Sequence, residues 1–330
     1  MFDGSLTMSF YALNYPSHAF SHVNSHKTYK GRLNPVLAIP PSSTVLHTDE
    51  SGKFHESKKN SDLISSGSSD SLLSQANTVG ILGGISANST VNFLKKVVQW
   101  STKDGQDSLP FVLCSDPVLN EKLLLHERDS FHSLGRRNEH SGLDHTSIVE
   151  NLQRKREFLE KSGARCIVMP CHIAHAWHDD ISKGCSVHLL HMGECVAKEL
   201  KEAKLKPLEA GSPLRIGVLA THATLTAGFY QEKLQSEGFE VVLPDRATME
   251  HALIPAIQAL DRRDMEGARN LLRIAVQVLL VRAVNTVILA SDDMCDLLPD
   301  DDPLLKKCID PVDALARSTI MWAQAAGKGT

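Results

Sequence analysis

No apolar run in this 330-residue sequence approaches the ~20 residues needed to cross a bilayer. The longest, around Ile274 to Val284, is broken by Gln277 and Arg282, so no membrane partner is expected. Strong charge of one sign is lacking too. Against 39 acidic residues stand 35 basic ones, and the net charge of −4 excludes the electrostatic footprint of a nucleic-acid binder. The seven cysteines are odd in number and form no CxxC pair, which argues against a disulfide framework and for reduced thiols, several of them filling core positions. The stretch Gly80 to Gly84 has neither the GxGxxG nor the GxxxxGKS spacing, so a phosphate loop is a weak reading of it.

Acidic residues are almost missing from the first 48 positions, where Asp3 stands alone, and Arg32 is the only arginine before Arg128. A proline patch at Pro35 to Pro41 and a serine-dense stretch from Ser51 to Asn77 follow. Without periodic apolar residues such a segment cannot offset its ordering entropy. Residues 1–76 are therefore read as a disordered N-terminal segment. Its acid-poor, Ser-rich start resembles an organelle transit peptide, with a plastid as destination; a plain tail on a cytoplasmic protein is the alternative.

The rest has the means to fold: 42% of the chain is hydrophobic and 22% charged, ordinary values for a globular protein. From Thr78 the pattern is strand, loop, helix, repeated. Strands are expected at Thr78–Gly83, Leu109–Cys114, Arg165–Pro170 and Val187–Leu190, and helices at Thr90–Ser101, Thr146–Ser162 and Gly193–Glu202. After a Lys-, Pro- and Gly-rich stretch at Lys204–Pro213 the pattern restarts. Strands are expected at Leu214–Leu219, Gly238–Leu243, Asn285–Ala290 and Lys307–Asp310, and helices at Met249–Leu260, Asp264–Ala283 and Pro311–Trp322. Overlaying the halves puts Ile81 on Val218, Cys171 on Ser291 and His191 on Asp310. Alternating βα units imply a parallel sheet in each half. The expected fold is α/β, with two pseudo-symmetric lobes, 77–206 and 207–330, each a parallel sheet flanked by helices; the C-terminal helix is free to pack on the first lobe. Ligands of open parallel sheets sit beyond the carboxyl ends of the strands, so a site between the lobes is expected.

The segment Val168-Met-Pro-Cys171-His-Ile-Ala-His175 ends an apolar strand and opens a helix. At a helix N-terminus, unpaired N–H groups and the helix dipole favour thiolate, so Cys171 is expected to have a lowered pKa and to serve as base or nucleophile. A buried structural cysteine is the bland alternative, and the strand-end position within a repeat counts against it.

Four loops now carry a resemblance: Gly80-Ile-Leu-Gly-Gly84, Pro170-Cys-His-Ile-Ala-His175, Ala220-Thr-His-Ala-Thr-Leu-Thr-Ala-Gly-Phe-Tyr230 and Ala290-Ser-Asp-Asp293. In this order they resemble the aspartate/glutamate/hydantoin racemase superfamily. The resemblance implies cofactor-free proton transfer at the α-carbon of a small amino-acid or carboxylate substrate, by a cysteine from each lobe and without metal or pyridoxal phosphate. It implies Cys171 and Ser291 as the catalytic pair of positions. Substrate contacts are implied at Gly84, Thr90, Lys122, His172, Ile173, His175, Thr221, Thr224, Asp292 and Asp293, and assembly as a homodimer is common in the family.

The sequence departs from that pattern where the chemistry is concentrated. Ser291 stands where the second cysteine would be, and its hydroxyl is a far weaker acid than a thiol. Asp292 or Asp293 would replace it as base only with a raised pKa. Cys295 lies about one helical turn on. His172-Ile173 replaces an Asn-Thr pair, removing two carboxylate donors and adding an imidazole. Lys122 stands in for an arginine, keeping the charge and losing the bidentate fork. Aspartate or glutamate is thereby a poor expectation for the substrate. A metal site from Cys171, His172, His175, His178 and His191 is a minor reading, and Asp300–Asp302 reads as a solvated turn. Beside the racemase/isomerase reading stand a one-cysteine decarboxylase-like enzyme and a catalytically silent binder.

Overall fold

The computed structural model describes residues 75–102, 109–133, 145–208, 211–292, 294 and 296–327. The leader expected over 1–76 lies, but for its last two residues, outside the described residues, as do Asp293 and Cys295. The described residues belong to one compact unit.

In chain order the first half runs β1 (Val79–Leu82), α1 (Ala87–Ser101), β2 (Phe111–Cys114), α2 (Pro117–Ser133), α3 (His145–Lys161), β3 (Cys166–Val168), a 3₁₀ turn (Ile173–Trp177), α4 (His178–Ser182), β4 (His188–Leu189) and α5 (Met192–Glu202). The second half runs β5 (Arg215–Ala220), α6 (His222–Ala227), α7 (Phe229–Ser236), β6 (Glu240–Val242), α8 (Arg246–Thr248), a π turn (Met249–Leu253), α9 (Ile254–Asp261), α10 (Met265–Val281), β7 (Thr286–Ala290), a 3₁₀ turn (Pro303–Lys307), β8 (Cys308–Ile309) and α11 (Pro311–Gly327).

The strands form two four-stranded parallel sheets with the same order, β2-β1-β3-β4 and β6-β5-β7-β8. Their registers agree as well. Ile81 pairs with Val168, and Cys171 follows three residues later; Val218 pairs with Ile288, and Ser291 follows three residues later. Ile167 pairs with Leu189, two residues before His191; Val287 pairs with Cys308, two before Asp310. The matched His191 and Asp310 do the same structural work. His191 Nδ1 accepts from Gly193 N–H (3.0 Å) at the start of α5, and Asp310 Oδ1 accepts from Val312 N–H (2.8 Å) at the start of α11.

Strand parity explains the layering. Successive strand side chains face opposite ways. Val79, Ile81, Cys166 and Val168 of the first sheet, and Ile216, Val218, Ile288 and Ala290 of the second, all enter one shared core with α1, α5, α7 and α11. The alternate residues enter private cores: Leu82, Ile167 and Met169 against α2 and α3, Leu219, Val287 and Leu289 against α9 and α10. The shared core joins the halves through burial of apolar surface, at roughly 25 cal/mol per Å². α11, last in the second half, packs on α1 and α5 of the first.

Several sequence expectations need correction. The helix expected over Met249–Leu260 is present, starting earlier with α8 and containing the π turn before α9. Pro255 supplies no N–H to a continuous helix, and the wider turn absorbs that defect. The loop from Ala220 to Tyr230 is two helices broken at Gly228, whose φ of 74° favours glycine. Strands expected at six residues, such as Arg165–Pro170, pair over fewer. Helix α2 was not foreseen, because its apolar residues form no clean stripe. No helix among the described residues is long and apolar enough to cross a membrane.

Candidate active site between the two lobes

Cys171 lies just beyond β3 with no solvent exposure. The backbone of the β1 loop presses directly on it. A Cβ built at Gly84 would lie 2.0 Å from Cys171 Cβ and 2.3 Å from its sulfur, so only glycine fits there. The next residue, Ile85, donates its N–H to Cys171 Sγ at 3.3 Å. Asn120 of α2, which the sequence reading passed over, locks the same loop: its amide donates to Gly84 O (2.6 Å) and Asp116 O (2.7 Å).

The charge state expected of Cys171 is corrected by its surroundings. Burial pushes its thiol well above the ordinary range, and the Asp292 carboxylate of the other lobe adds to the rise. Bonds from the Ile85 and Ala174 N–H groups work the other way and are outweighed. The turn after Cys171 is a five-residue 3₁₀ segment, too short to supply the dipole of a full helix. These surroundings favour the neutral thiol over the thiolate at Cys171.

His172, 2% exposed, reaches across to the second lobe. Its Nδ1 lies 2.9 Å from the Tyr230 hydroxyl, which in turn donates to Met192 Sδ at 3.0 Å. Nε2 makes no hydrogen bond among the described residues and stands 4.0 Å from Asp292 Oδ1. Burial holds the imidazole down at about 4, with Asp310 opposing in part.

The other expected site residues fall in distinct places. Ser291 is buried just past β7, and its carbonyl accepts from Met294 N–H (3.2 Å). Thr90 is buried on α1, its hydroxyl donating back to Ser86 O (3.2 Å). Thr221 and Thr224 are buried at the start of α6, where the first donates to the second at 3.3 Å. Ile173 belongs to the private core of the first lobe, alongside Ala174 and Trp177. Lys122 is half-buried on α2. Farther along the same helix, the Glu127 carboxylate reaches Cys171 electrostatically.

His175 does not meet the Cys171 sulfur in any hydrogen bond described. Its Nε2 bonds Met169 O (3.0 Å), and its ring packs with those of His178 (5.9 Å), His191 (5.1 Å) and Phe229 (5.7 Å). That grouping was the basis for the metal reading. Among the described residues no three His, Cys, Asp or Glu side chains converge as ligands.

The first lobe also clasps the second through α1. Asn92 donates to Asp296 Oδ2 (3.0 Å), and Lys96 pairs with Asp310 (2.5 Å) and Asp313 (2.7 Å). Burial works against the Lys96 charge, but the two carboxylates outweigh it and raise its pKa.

Two matched parallel sheets, with side chains from the ends of both buried against each other, define a two-lobed α/β protein. The Asp/Glu/hydantoin racemase family model matches residues 82–319, and the chain belongs to that family. It is similar to the broad specificity amino-acid racemase RacX of Bacillus subtilis (strain 168), at 25% identity over 174 residues, or 51% of this chain. The match spans 64% of that relative's length. Among solved structures the fold resembles the Picrophilus torridus aspartate racemase, with TM-score 0.55, 24% identity, and coverage of 75% of this chain and 94% of the other. An aspartate racemase homologue from Pyrococcus horikoshii OT3 gives TM-score 0.58 at 19% identity, covering 75% and 99%.

Proposed function

We propose that this protein is a cofactor-independent racemase/isomerase-type enzyme that transfers a proton at the α-carbon of a small amino-acid or carboxylate substrate, with Cys171 as the acid/base group. The observation that carries this reading is the buried sulfur at a strand end, held by the Gly84–Ile85 turn. In one direction the thiol gives its proton to an α-carbanion, forming C–H and leaving thiolate. In the other, thiolate removes the α-hydrogen. A cationic substrate group beside the sulfur would lower its pKa and so open the second direction. Lys122 and the hydroxyls of Thr90, Thr221 and Thr224 are proposed to face the substrate carboxylate.

A second reading has its own support. With Ser291 in place of a second thiol and Cys171 neutral at rest, the site is equipped to protonate one face of a carbanion, as a decarboxylase-like enzyme requires.

Incubation in heavy water with L- and D-amino acids and small dicarboxylates tests both. α-Deuteration with inversion supports racemisation, and deuteration with retained configuration supports one-sided exchange by Cys171. Release of carbon dioxide selects the second reading. Saturable binding with no exchange would leave a silent binder and overturn the proposal. A homodimer, checked by light scattering, and plastid delivery, checked by fusing residues 1–76 to a fluorescent protein, are parts of the same proposal.

A further inference from the structure

We infer that the outer edge of β2, with the flank of α1 beside it, is the docking surface for a second copy of this chain, the two first-lobe sheets joining edge to edge across a twofold axis at Val112. The inference rests on the homodimer of the reading above, to which it gives a surface, and is independent of the proton-transfer step.

The argument begins with an open strand edge. β2 is the outermost strand of its sheet, and among the described residues it pairs with β1 alone. Pro110 O and Cys114 O accept from Val79 N–H (2.9 Å) and Gly83 N–H (2.8 Å), at the two ends of β1. Backbone groups along a strand point alternately to its two sides, so those of Phe111 and Leu113 point outward. The strand, Phe-Val-Leu-Cys, has no lysine, other charge or proline of the kind that guards a free edge. The same two residues expose apolar side chains, Phe111 by 37% and Leu113 by 40%. Register sets them beside Val79 and Ile81, on the sheet face that α1 covers. On α1, Asn92 and Lys96 turn to the second lobe. Val91 and Val98, well round the helix from them, are 46% and 39% exposed. Spaced by seven residues, the two valines lie on one flank. Four exposed apolar side chains thus border one unpaired strand.

An antiparallel copy of β2 matches each of these features. In an antiparallel pair, directly opposed residues exchange both N–H···O=C bonds at alternate positions, and their side chains share a face. With the axis at Val112, Phe111 opposes Leu113 of the second copy, and Leu113 opposes its Phe111. The outward N–H and C=O groups of both residues are then satisfied, and Val112 opposes itself as the pair without hydrogen bonds. Phe111 and Leu113 meet on the α1 side of the joined sheet. Neighbouring strands lie about 4.8 Å apart, so α1, over the β1–β2 pair that it connects, comes to about 9–10 Å from its copy. That is an ordinary separation for packed helices. Running antiparallel, the two helices bring Val91 of one toward Val98 of the other. Lys95, exposed between the valines, has a stem long enough to keep its ammonium in water. The contact uses the same patch on both chains and closes with two of them, so the edge is covered and does not propagate.

Sedimentation equilibrium of the full chain, together with disulfide trapping, tests this. The parent should sediment as two copies. Replacing both Phe111 and Leu113 by lysine puts charge on the edge and should weaken the dimer at least tenfold. Leu113→Pro removes an outward N–H while leaving the bonds to β1 in place, and should weaken the dimer by a similar factor. Val112→Cys sets two sulfurs at the axis, where opposed Cα atoms stand about 4.5 Å apart. Oxidation should then link this variant into pairs on a non-reducing gel, at least tenfold more than Leu113→Cys or the parent with its own cysteines. Where circular dichroism shows that the lysine or proline variant does not fold, the trapping result decides. A single chain in solution would overturn this surface and the homodimer together. A dimer that survives the lysine and proline changes, or that Val112→Cys does not trap, would overturn this surface and leave the homodimer standing. Open-ended assemblies in place of a dimer would also overturn it.

Discussion

The two lobes share a frame and differ in what they hang on it. Strand order, register, the inner glycine of the first strand and the helix cap after the fourth are matched between the halves. At the loop three residues past the central pairing, however, one lobe presents Cys171 and the other Ser291. The frame demands only a buried, compact residue at that point, and both satisfy it. Proton transfer demands more, a group whose acidity lies near that of the reaction, and only the first lobe supplies a thiol there. Fold symmetry is thus preserved by packing, while symmetry of chemistry is not.

The largest expected effect breaks that asymmetry at its source. Cys171→Ala should lower α-deuterium exchange by ~10³-fold or more, whereas Ser291→Ala should change it by only a few-fold, each read by mass spectrometry in heavy water. Equal losses in the two variants would mean that the lobes contribute alike. Ser291→Cys restores the matched pair and should raise stereochemical inversion by ~10-fold or more over the starting protein. Polarimetry showing no gain would place the second group elsewhere, with Asp292 and His172 the residues to examine.

Much of the frame was legible beforehand. Short apolar runs ending in Gly83, Pro170, Leu219 and Ala290 marked the strands, and the repeat gave the matching of Cys171 with Ser291. What escaped was whatever depends on chain-distant neighbours. The charge state of Cys171 was misjudged because local rules count the turn after it, while burial under Gly84 and the Asp292 carboxylate decide the outcome. His172 was visible as an added imidazole, but its hydrogen bond to Tyr230, 58 positions away, was not. Helix α2 was missed although Asn120 and Glu127 on it both bear on the site.

The inner glycines sharpen the comparison on the stability side. A Cβ at Gly80 would meet Ala164 Cβ at 2.9 Å, an atom fixed to backbone, with Leu159 Cβ and Ile167 Cγ1 both at 3.2 Å. The matched Gly217 would meet the far end of Leu279 at 3.0 Å, a side chain able to turn aside. Gly80→Ala should therefore cost about 1–3 kcal/mol in urea unfolding, and Gly217→Ala less than about 1 kcal/mol. A reversed order would show that α3 yields more easily than α10.

The smallest effect concerns acid, and it too is lopsided. The first lobe buries His172, His175 and His191, each 2–3% exposed. Burial depresses all three, His172 and His191 to about 4 and His175 well below its ordinary value. His178 lowers His191 further, and Glu194, Lys233 and Asp179 also bear on that ring. A depressed folded-state value means that the unfolded chain binds the proton first. The neutral histidines thus add stability that is fully present above about pH 6.5 and lost as pH falls toward 4. His191→Asn isolates one of them, because asparagine keeps the cap of α5 while removing the titration. Its melting temperature should lie near that of the parent at pH 7.5. At pH 5 the variant should resist acid better, by on the order of 1–2 kcal/mol. Parallel pH profiles for the two proteins would mean that the burial of His191 does not drive acid unfolding.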